Sequence, residues 1–160
     1  CDDDPDEQLA LIESDFSAGP KARFTMWIGS WEGAPFAYLQ DCDTARHLQP
    51  FHADEPPGTR SIGFFIGPSD HLGQGRAAPL IGAFARHLAA RGTRRVIADV
   101  VPSNTRSRAA FARAGFTTEG RRRDENGDPV LLFARHFFPS EISSGVREQT
   151  APGLSPSETS

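Results

Sequence analysis

The sequence predicts an α/β protein with a central mixed sheet, and one stretch of the chain carries most of that prediction. A short apolar run over residues 62–66 is followed by the glycine-rich turn Leu72-Gly73-Gln74-Gly75-Arg76-Ala77, which opens directly into a helical pattern. A second apolar run covers residues 96–101. The order strand, glycine turn, helix, strand is an arrangement that holds a phosphate-bearing cofactor.

Length and composition limit the possibilities. The 160 residues are enough for one domain with a substantial core, and 38% of them are hydrophobic, which is ordinary for a globular protein. We expect no membrane span, because no apolar run approaches the roughly 18 residues that a membrane helix needs. The net charge of -4 argues against a nucleic-acid partner. The two cysteines, Cys1 and Cys42, support neither a disulfide framework nor a metal site, so a reducing, cytoplasmic location is the default.

The first third of the chain predicts a short helix, a hairpin and a loop. Residues 5–16 favour a helix, because Pro5 suits a first turn and the apolar residues fall on one helical face. Residues 24–31 and 36–41 are typical of two strands joined by a tight turn. Residues 44–58 contain three prolines and no periodicity, which predicts a loop.

The middle of the chain predicts two strands around a helix. Residues 59–67 form the strand before the glycine turn, and residues 79–91 carry the apolar stripe of a helix. Residues 94–101 are rich in β-branched side chains, which is typical of a strand buried on both faces.

The remainder predicts a helix, a hairpin and a tail. Ser103 suits the N-cap of a helix that runs through Ala114. Residues 116–119 and 130–135 indicate two strands around a polar turn. From residue 139 the chain has too little apolar surface to order itself.

Two motifs resemble those of the GNAT-family N-acetyltransferases, which use acetyl-CoA. The glycine turn quoted above is similar to the family's R/Q-x-x-G-x-G/A. The stretch from Asn104 to Phe116, N-T-R-S-R-A-A-F-A-R-A-G-F, is similar to N-x-x-A-x-x-x-Y-x-x-x-G-F. The resemblance covers about residues 24–135, and the stretches G-F-F-I-G-P…L-G-Q-G and D-x-x-P-S-N look most like aminoglycoside 6'-N-acetyltransferases.

The resemblance implies the GNAT fold, with a mostly antiparallel mixed sheet flanked by helices and strands that splay apart at the acetyl-CoA cleft. We expect one such domain over residues 1–138 and a disordered tail over residues 139–160. The family fold normally begins with a strand and one or two helices, so its N-terminal part is expected to be missing or truncated here.

The implied cosubstrate is acetyl-CoA, with no metal. Gly73 and Gly75 let backbone N–H groups converge on the pyrophosphate, and the following helix adds its positive end. The splayed strand holds the pantetheine arm through its backbone, and a backbone N–H polarises the thioester carbonyl. Asn104 resembles the residue that bonds the arm, although it also suits helix capping. The expected cofactor-binding residues are Phe65, Ile66, Gly67, Leu72, Gly73, Gln74, Gly75, Arg76, Ala77, Ala78, Asn104, Arg108 and Phe111.

The expected acceptor is a primary amine of a small cationic molecule, aminoglycoside-like. With a pKa near ~10, only about one such amine in 10³ is neutral at pH 7, so a base or a relayed water must take the proton. Asp99 is the catalytic candidate, because it interrupts an apolar strand and matches the aspartate that aminoglycoside-type members place against the amine. The open alternative is a strand-end carboxylate bonded to the following backbone. The expected acceptor-binding residues are Asp41, Asp43, Asp54, Glu55 and Asp99.

Two positions depart from the family pattern. Gly63 stands where relatives often carry an aspartate, and Phe111 replaces a tyrosine that protonates the departing thiolate. His47, His52 and His71 fit exposed histidines without a role, although one of them could act as a base. Two other functions therefore stay open, a GNAT acting on a protein N-terminus or lysine and a catalytically weak acetyl-CoA-binding remnant. The chain is expected to be a monomer or a homodimer.

Overall fold

A computed structural model describes residues 9–13, 24–45, 52–67 and 75–138. Seven strands and two helices lie within these ranges. In chain order they are β1 (Leu9–Glu13), β2 (Thr25–Trp31), β3 (Ala34–Asp43), β4 (Arg60–Ile66), α1 (Ala77–Ala90), β5 (Arg95–Val100), α2 (Thr105–Arg113), β6 (Thr117–Arg123) and β7 (Pro129–His136).

The strands form one mixed sheet in the order β1-β2-β3-β4-β5-β7-β6. Every neighbouring pair is antiparallel except β4 and β5, which run parallel. The prediction of a mostly antiparallel mixed sheet with flanking helices is therefore confirmed.

The parallel pair opens along its length. β4 and β5 are in register at only two places, Arg60 opposite Val96 and Ser61 opposite Ile97. Both strands continue beyond these pairs, β4 to Ile66 and β5 to Val100, and the described residues show no further pairing between them. The splay expected from the family resemblance thus lies at the carboxyl ends of these two strands.

The sheet has a helix-covered face and an opposite face. Leu80, Ile81 and Phe84 on α1 are fully buried against the first face, which we call the helix face. The approach is close, since a Cβ added to Gly29 on β2 would lie 2.8 Å from Leu80 Cδ1. On the opposite face a small separate cluster joins β5 to β7, made of Ile97, Leu132 and Ala134.

Most predicted elements are confirmed with small changes of boundary, and one is wrong. The helix expected over residues 5–16 is not formed by its described part, because residues 9–13 are strand β1, paired with β2. The apolar residues of this segment fit the two-residue period of a strand as well as a helical face. The edge of β2 that does not pair with β3 is open to such a strand, so pairing decides the conformation. The tail from residue 139 lies outside the described residues. Neither described helix is long and apolar enough to cross a membrane.

Candidate active site

The backbone of β4 has one edge on β3 and the other on the splay. Thr44 N donates to Thr59 O at 3.1 Å at one end of β4, and Gly67 N donates to Phe36 O at 3.0 Å at the other. In an antiparallel ladder such bonded pairs recur at every second residue. The odd-numbered residues of β4 therefore bond β3, and the even-numbered ones turn their N–H and C=O groups toward β5.

This alternation corrects the residues expected to hold the pantetheine arm. The Gly67 N–H donates a hydrogen bond to β3, and the Phe65 N–H points the same way. Neither residue therefore offers a free backbone N–H to the splay. The backbone N–H groups of Ile66 and of Phe64 point toward the splay and have no described partner there; Phe64 is not among the residues that the family resemblance implied. The signal was available, since the two-residue alternation of a strand paired on one edge distinguishes neighbouring backbone groups.

The amino end of α1 has no side-chain cap from its own N-cap residue. Arg76 is its N-cap residue and makes no capping hydrogen bond, and the first turn contains no acidic residue. The N–H groups of Ala77 and Ala78, in the first turn, are left without intrahelical acceptors. Gly75 precedes the helix with a φ of 71°, which glycine adopts without strain. Leu72, Gly73 and Gln74 lie outside the described residues.

Asn104, rather than Ser103, caps α2. Its Oδ1 accepts a hydrogen bond from Ser107 N at 3.1 Å, so the expected Ser103 cap is wrong by one position. Arg108 is exposed, and its Nη1 donates to Pro102 O at 3.1 Å. Both side chains lie just beyond the carboxyl end of β5, beside the splay.

Phe111 is a core residue. Its side chain lies among those of Phe64, Phe116 and Phe133, with ring centroids 5.2 to 5.8 Å away. Only 3% of it is exposed. The ring fills the space between α2 and the sheet, which favours a core role for Phe111, and its expected contact with the cofactor stays a prediction.

Asp99 lies within the splay and is paired with a histidine. Asp99 follows Ile97, the last residue of β5 that pairs with β4, by two positions and shares its face of the sheet. The Asp99 Oδ2 atom lies 2.9 Å from His52 Nε2. The Asp99 Oδ1 atom is buried and accepts no hydrogen bond from the described part of the chain. The described partner of Asp99 is thus a side chain far away in sequence. It is not the backbone of the residues that follow Asp99, which was the open alternative.

His52 is buried, contrary to the expectation of an exposed histidine. Only 4% of its side chain is exposed, against 19% for Asp99. Its position depends on contacts between distant parts of the chain, which the local sequence does not reveal. His47 and His71 lie outside the described residues.

Glu55 anchors the loop that carries His52. Its two carboxylate oxygens accept hydrogen bonds from Arg95 Nε and Nη2, at 2.6 and 3.1 Å. Glu119 accepts two more from Arg95, at 3.0 and 2.7 Å. Glu55 first and Glu119 second raise the pKa of Arg95, and Arg95 lowers that of Glu119 to about 2. Both oxygens of Glu55 are bonded to Arg95, which favours a structural role for this side chain over the expected acceptor-binding one.

Asp41 and Asp43 lie on the helix face, away from Asp99. The Asp41 side chain is buried, its Oδ1 accepts from Trp27 Nε1 at 2.7 Å, and its Oδ2 is bound by Arg60. Asp43 shares that face by strand alternation and accepts from Ala45 N at 3.0 Å. Asp54 is exposed on the loop. The five acids therefore do not form one cleft, because register places Asp41 and Asp43 on the other side of the sheet.

Cross-strand pairs on the opposite face adjoin the splay. Gln40 faces Gly63, where an added Cβ would lie 3.3 Å from Gln40 Nε2. The next pair is aromatic, with Tyr38 opposite Phe65, and these side chains are 38% and 67% exposed. Sequence reasoning missed this pair, although residues two apart on paired strands share a face.

Comparison with known proteins places this geometry in a family. The model of the acetyltransferase (GNAT) domain family matches residues 2–123, and the chain belongs to that family. It is accordingly an N-acetyltransferase, an enzyme. No curated protein matches the chain.

Several solved structures share the fold. The aminoglycoside acetyltransferase AAC(6')-Ib, solved with coenzyme A and kanamycin, is 23% identical, with a TM-score of 0.68 over 79% of this chain and 72% of that one. An aminoglycoside N(6')acetyltransferase from Legionella pneumophila is 17% identical, with a TM-score of 0.64 over 89% of this chain and 96% of that one. RimL, a ribosomal L7/L12 α-N-protein acetyltransferase solved with coenzyme A, is 23% identical, with a TM-score of 0.57 over 72% and 63%. At these identities the likeness is one of fold.

Proposed function

We propose that the enzyme transfers the acetyl group of acetyl-CoA directly to a primary amine of a small cationic acceptor, aminoglycoside-like, in a ternary complex. The observation that carries this proposal is the position of Asp99. It lies in the splay of β4 and β5, across from backbone groups of β4 that pair with no described strand on that side. An acyl donor and an amine can meet in such a gap.

The cofactor half of the site fits acetyl-CoA. The uncapped first turn of α1, with Gly75 and Arg76, suits the pyrophosphate, because orphan N–H groups and the helix dipole favour an anion there. The even-numbered backbone groups of β4, at Phe64 and Ile66, suit the amide-bearing pantetheine arm. Leu72, Gly73 and Gln74 stay part of the proposed pyrophosphate turn, with Asn104 and Arg108 beside the arm.

The residues of the chain account for the transfer chemistry. Acetyl-CoA supplies a thioester whose carbonyl carbon is attacked by the amine, so a C–N bond forms, the C–S bond breaks, and CoA leaves as the thiolate. A β4 N–H stabilises the negative charge that develops on the carbonyl oxygen. The amine proton passes to Asp99, directly or through water. The thiolate leaves without a tyrosine donor, because a thiol with a pKa near ~8.5 is a tolerable leaving group.

The acceptor half of the site suits a cation that carries rings. The Asp99 Oδ1 atom lacks a described donor, and an ammonium or amine N–H supplies one. Tyr38 and Phe65 present exposed aromatic faces to the same side of the sheet. Ring faces of this kind bind cations by about 0.5–1 kcal/mol at exposed sites, and more when water is excluded.

Thiol detection of released CoA tests this function. Purified protein and acetyl-CoA are mixed with a kanamycin-type amine, with peptides bearing free N-termini or lysine, or with no acceptor. We expect release with the kanamycin-type amine only. Release confined to peptides would favour the protein-directed alternative, which the RimL fold likeness motivates. Acetyl-CoA binding without release from any amine would leave only the catalytically weak remnant.

A further inference from the structure

We propose that His52 is a positioning residue for the acetyl transfer: its Nε2–H holds the Oδ2 atom of Asp99 so that Oδ1 receives the acceptor amine. This inference rests on the proposed function. The observations that carry it are the 2.9 Å contact between the two side chains and the 4% exposure of His52. The Asp99 side chain is 19% exposed, so the carboxylate is the member of the pair that can meet a substrate, and His52 acts through it.

The surroundings of Asp99 explain why a donor is needed. Its register partner on β7 is Leu132, and the preceding residue on its face is Ile97, both fully buried and apolar. An ionised carboxylate beside such neighbours is costly unless hydrogen bonds compensate it. His52 supplies one such bond to Oδ2. The described part of the chain supplies none to Oδ1, so that oxygen is left for a donor on the acceptor.

The loop that carries His52 is fixed on β5 at two points. Glu55 bonds Arg95 at the start of the strand, and His52 bonds Asp99 four residues later on the same face. The loop is also braced internally, since Glu55 N donates to His52 O at 3.1 Å and Thr59 Oγ1 donates to Pro56 O at 2.8 Å. The two attachments hold the imidazole against the carboxylate, whose terminal torsion is otherwise soft.

Two substitutions of His52 distinguish its role in orienting the Asp99 carboxylate from any other role of the imidazole. His52→Gln keeps an N–H near the place of Nε2, whereas His52→Leu fills the space without a donor. We expect His52→Leu to lower kcat/KM for the amine about 10- to 150-fold, the value of one hydrogen bond to a charged group, mainly through kcat. We expect His52→Gln to stay within about threefold of wild type and both variants to bind acetyl-CoA normally.

Glu55→Gln tests the anchoring of the loop. It weakens the pair with Arg95 and should lower kcat in the same direction as His52→Leu, by a smaller factor. Two results would overturn the proposal: His52→Leu acting like wild type, or His52→Gln losing as much activity as His52→Leu. The second result would show that the imidazole is needed for something other than the hydrogen bond.

A readout without turnover distinguishes failure of this inference from failure of the proposed function. An imidazole N–H bonded to a carboxylate gives a slowly exchanging, downfield proton resonance in NMR spectra. We expect that resonance in the wild type, its shift upfield in Asp99→Asn, where the acceptor becomes a neutral amide oxygen, and its loss in His52→Leu. If the resonance is present but no amine is acetylated, the proposed function fails while the pairing stands. If it is absent from the wild type, the positioning role fails whatever the activity.

Discussion

Replacing Asp99 with asparagine removes the charge of the proposed acceptor-binding carboxylate and keeps its shape. The amide oxygen can still accept the bond that His52 donates at 2.9 Å. With that oxygen held by His52, the amide NH₂ group takes the place of Oδ1. A donor then faces the amine where an acceptor stood, and the group can no longer take a proton.

The magnitude follows from the two interactions that are lost. A hydrogen bond to a charged group contributes about 1.5–3 kcal/mol, and each 1.36 kcal/mol is tenfold in rate, so this loss alone is worth roughly 10- to 150-fold. Loss of a positioned base contributes typically about 10²–10⁴-fold. The two effects overlap, and we expect kcat/KM for the amine to fall at least about 100-fold.

The assay compares CoA release with acetyl-CoA binding measured by calorimetry. Asp128→Asn makes the same chemical change at an exposed position in the turn before β7 and serves as the matched control. We expect wild-type rates from the control and unchanged acetyl-CoA affinity in both variants. Asp99→Asn turnover within threefold of wild type would refute the reasoning, and so would an equal loss of acetyl-CoA affinity.

Three further predictions concern the fold around the site. Phe111→Ala should reduce the free energy of unfolding by about 3–5 kcal/mol in urea denaturation, because the ring is buried among three others; a loss below 1 kcal/mol would contradict its core role. Gly29→Ala should cost about 1–3 kcal/mol in the same assay, since its Cβ would meet Leu80 Cδ1 at 2.8 Å; unchanged stability would show that α1 moves away freely. Arg95 lowers the pKa of Glu119 to about 2 from its ordinary value of 4.5, so this pair stabilises the fold fully above pH 4.5 and loses that effect as the pH falls toward 2. Glu119→Gln should flatten the acid side of a pH–stability curve measured by thermal unfolding, and an unaltered curve would argue against the pair.

The sequence predicts the fold well where a segment has one clear period. Residues 95–100 form an apolar, β-branched-rich run, and Ala77–Ala90 carries a helical stripe, so both elements are confirmed with boundaries shifted by one or two residues. The segment of residues 9–13 is too short to distinguish the period of a helix from the period of a strand. Pairing with β2 decides that they form a strand, and that contact is not local.

The site was predictable where it depends on motif and strand position, and not where it depends on side-chain contacts across the chain. The position of Asp99 within the splay follows from the motif and from its place on β5. The partner of Asp99 does not, because His52 reaches it through the docking of a loop held by Glu55 and Arg95. Asp41 was misplaced by considering charge without register, although it shares a face with the buried Leu39 two residues before it.

Mass spectrometry of the acceptor after incubation directly detects acetyl transfer to the amine. Wild-type protein, acetyl-CoA and a kanamycin-type amine are incubated together, and the amine is analysed for a single added acetyl group. We expect a monoacetylated product whose formation requires the protein and falls at least about 100-fold with Asp99→Asn. An unmodified amine in a sample where the protein binds acetyl-CoA would contradict it.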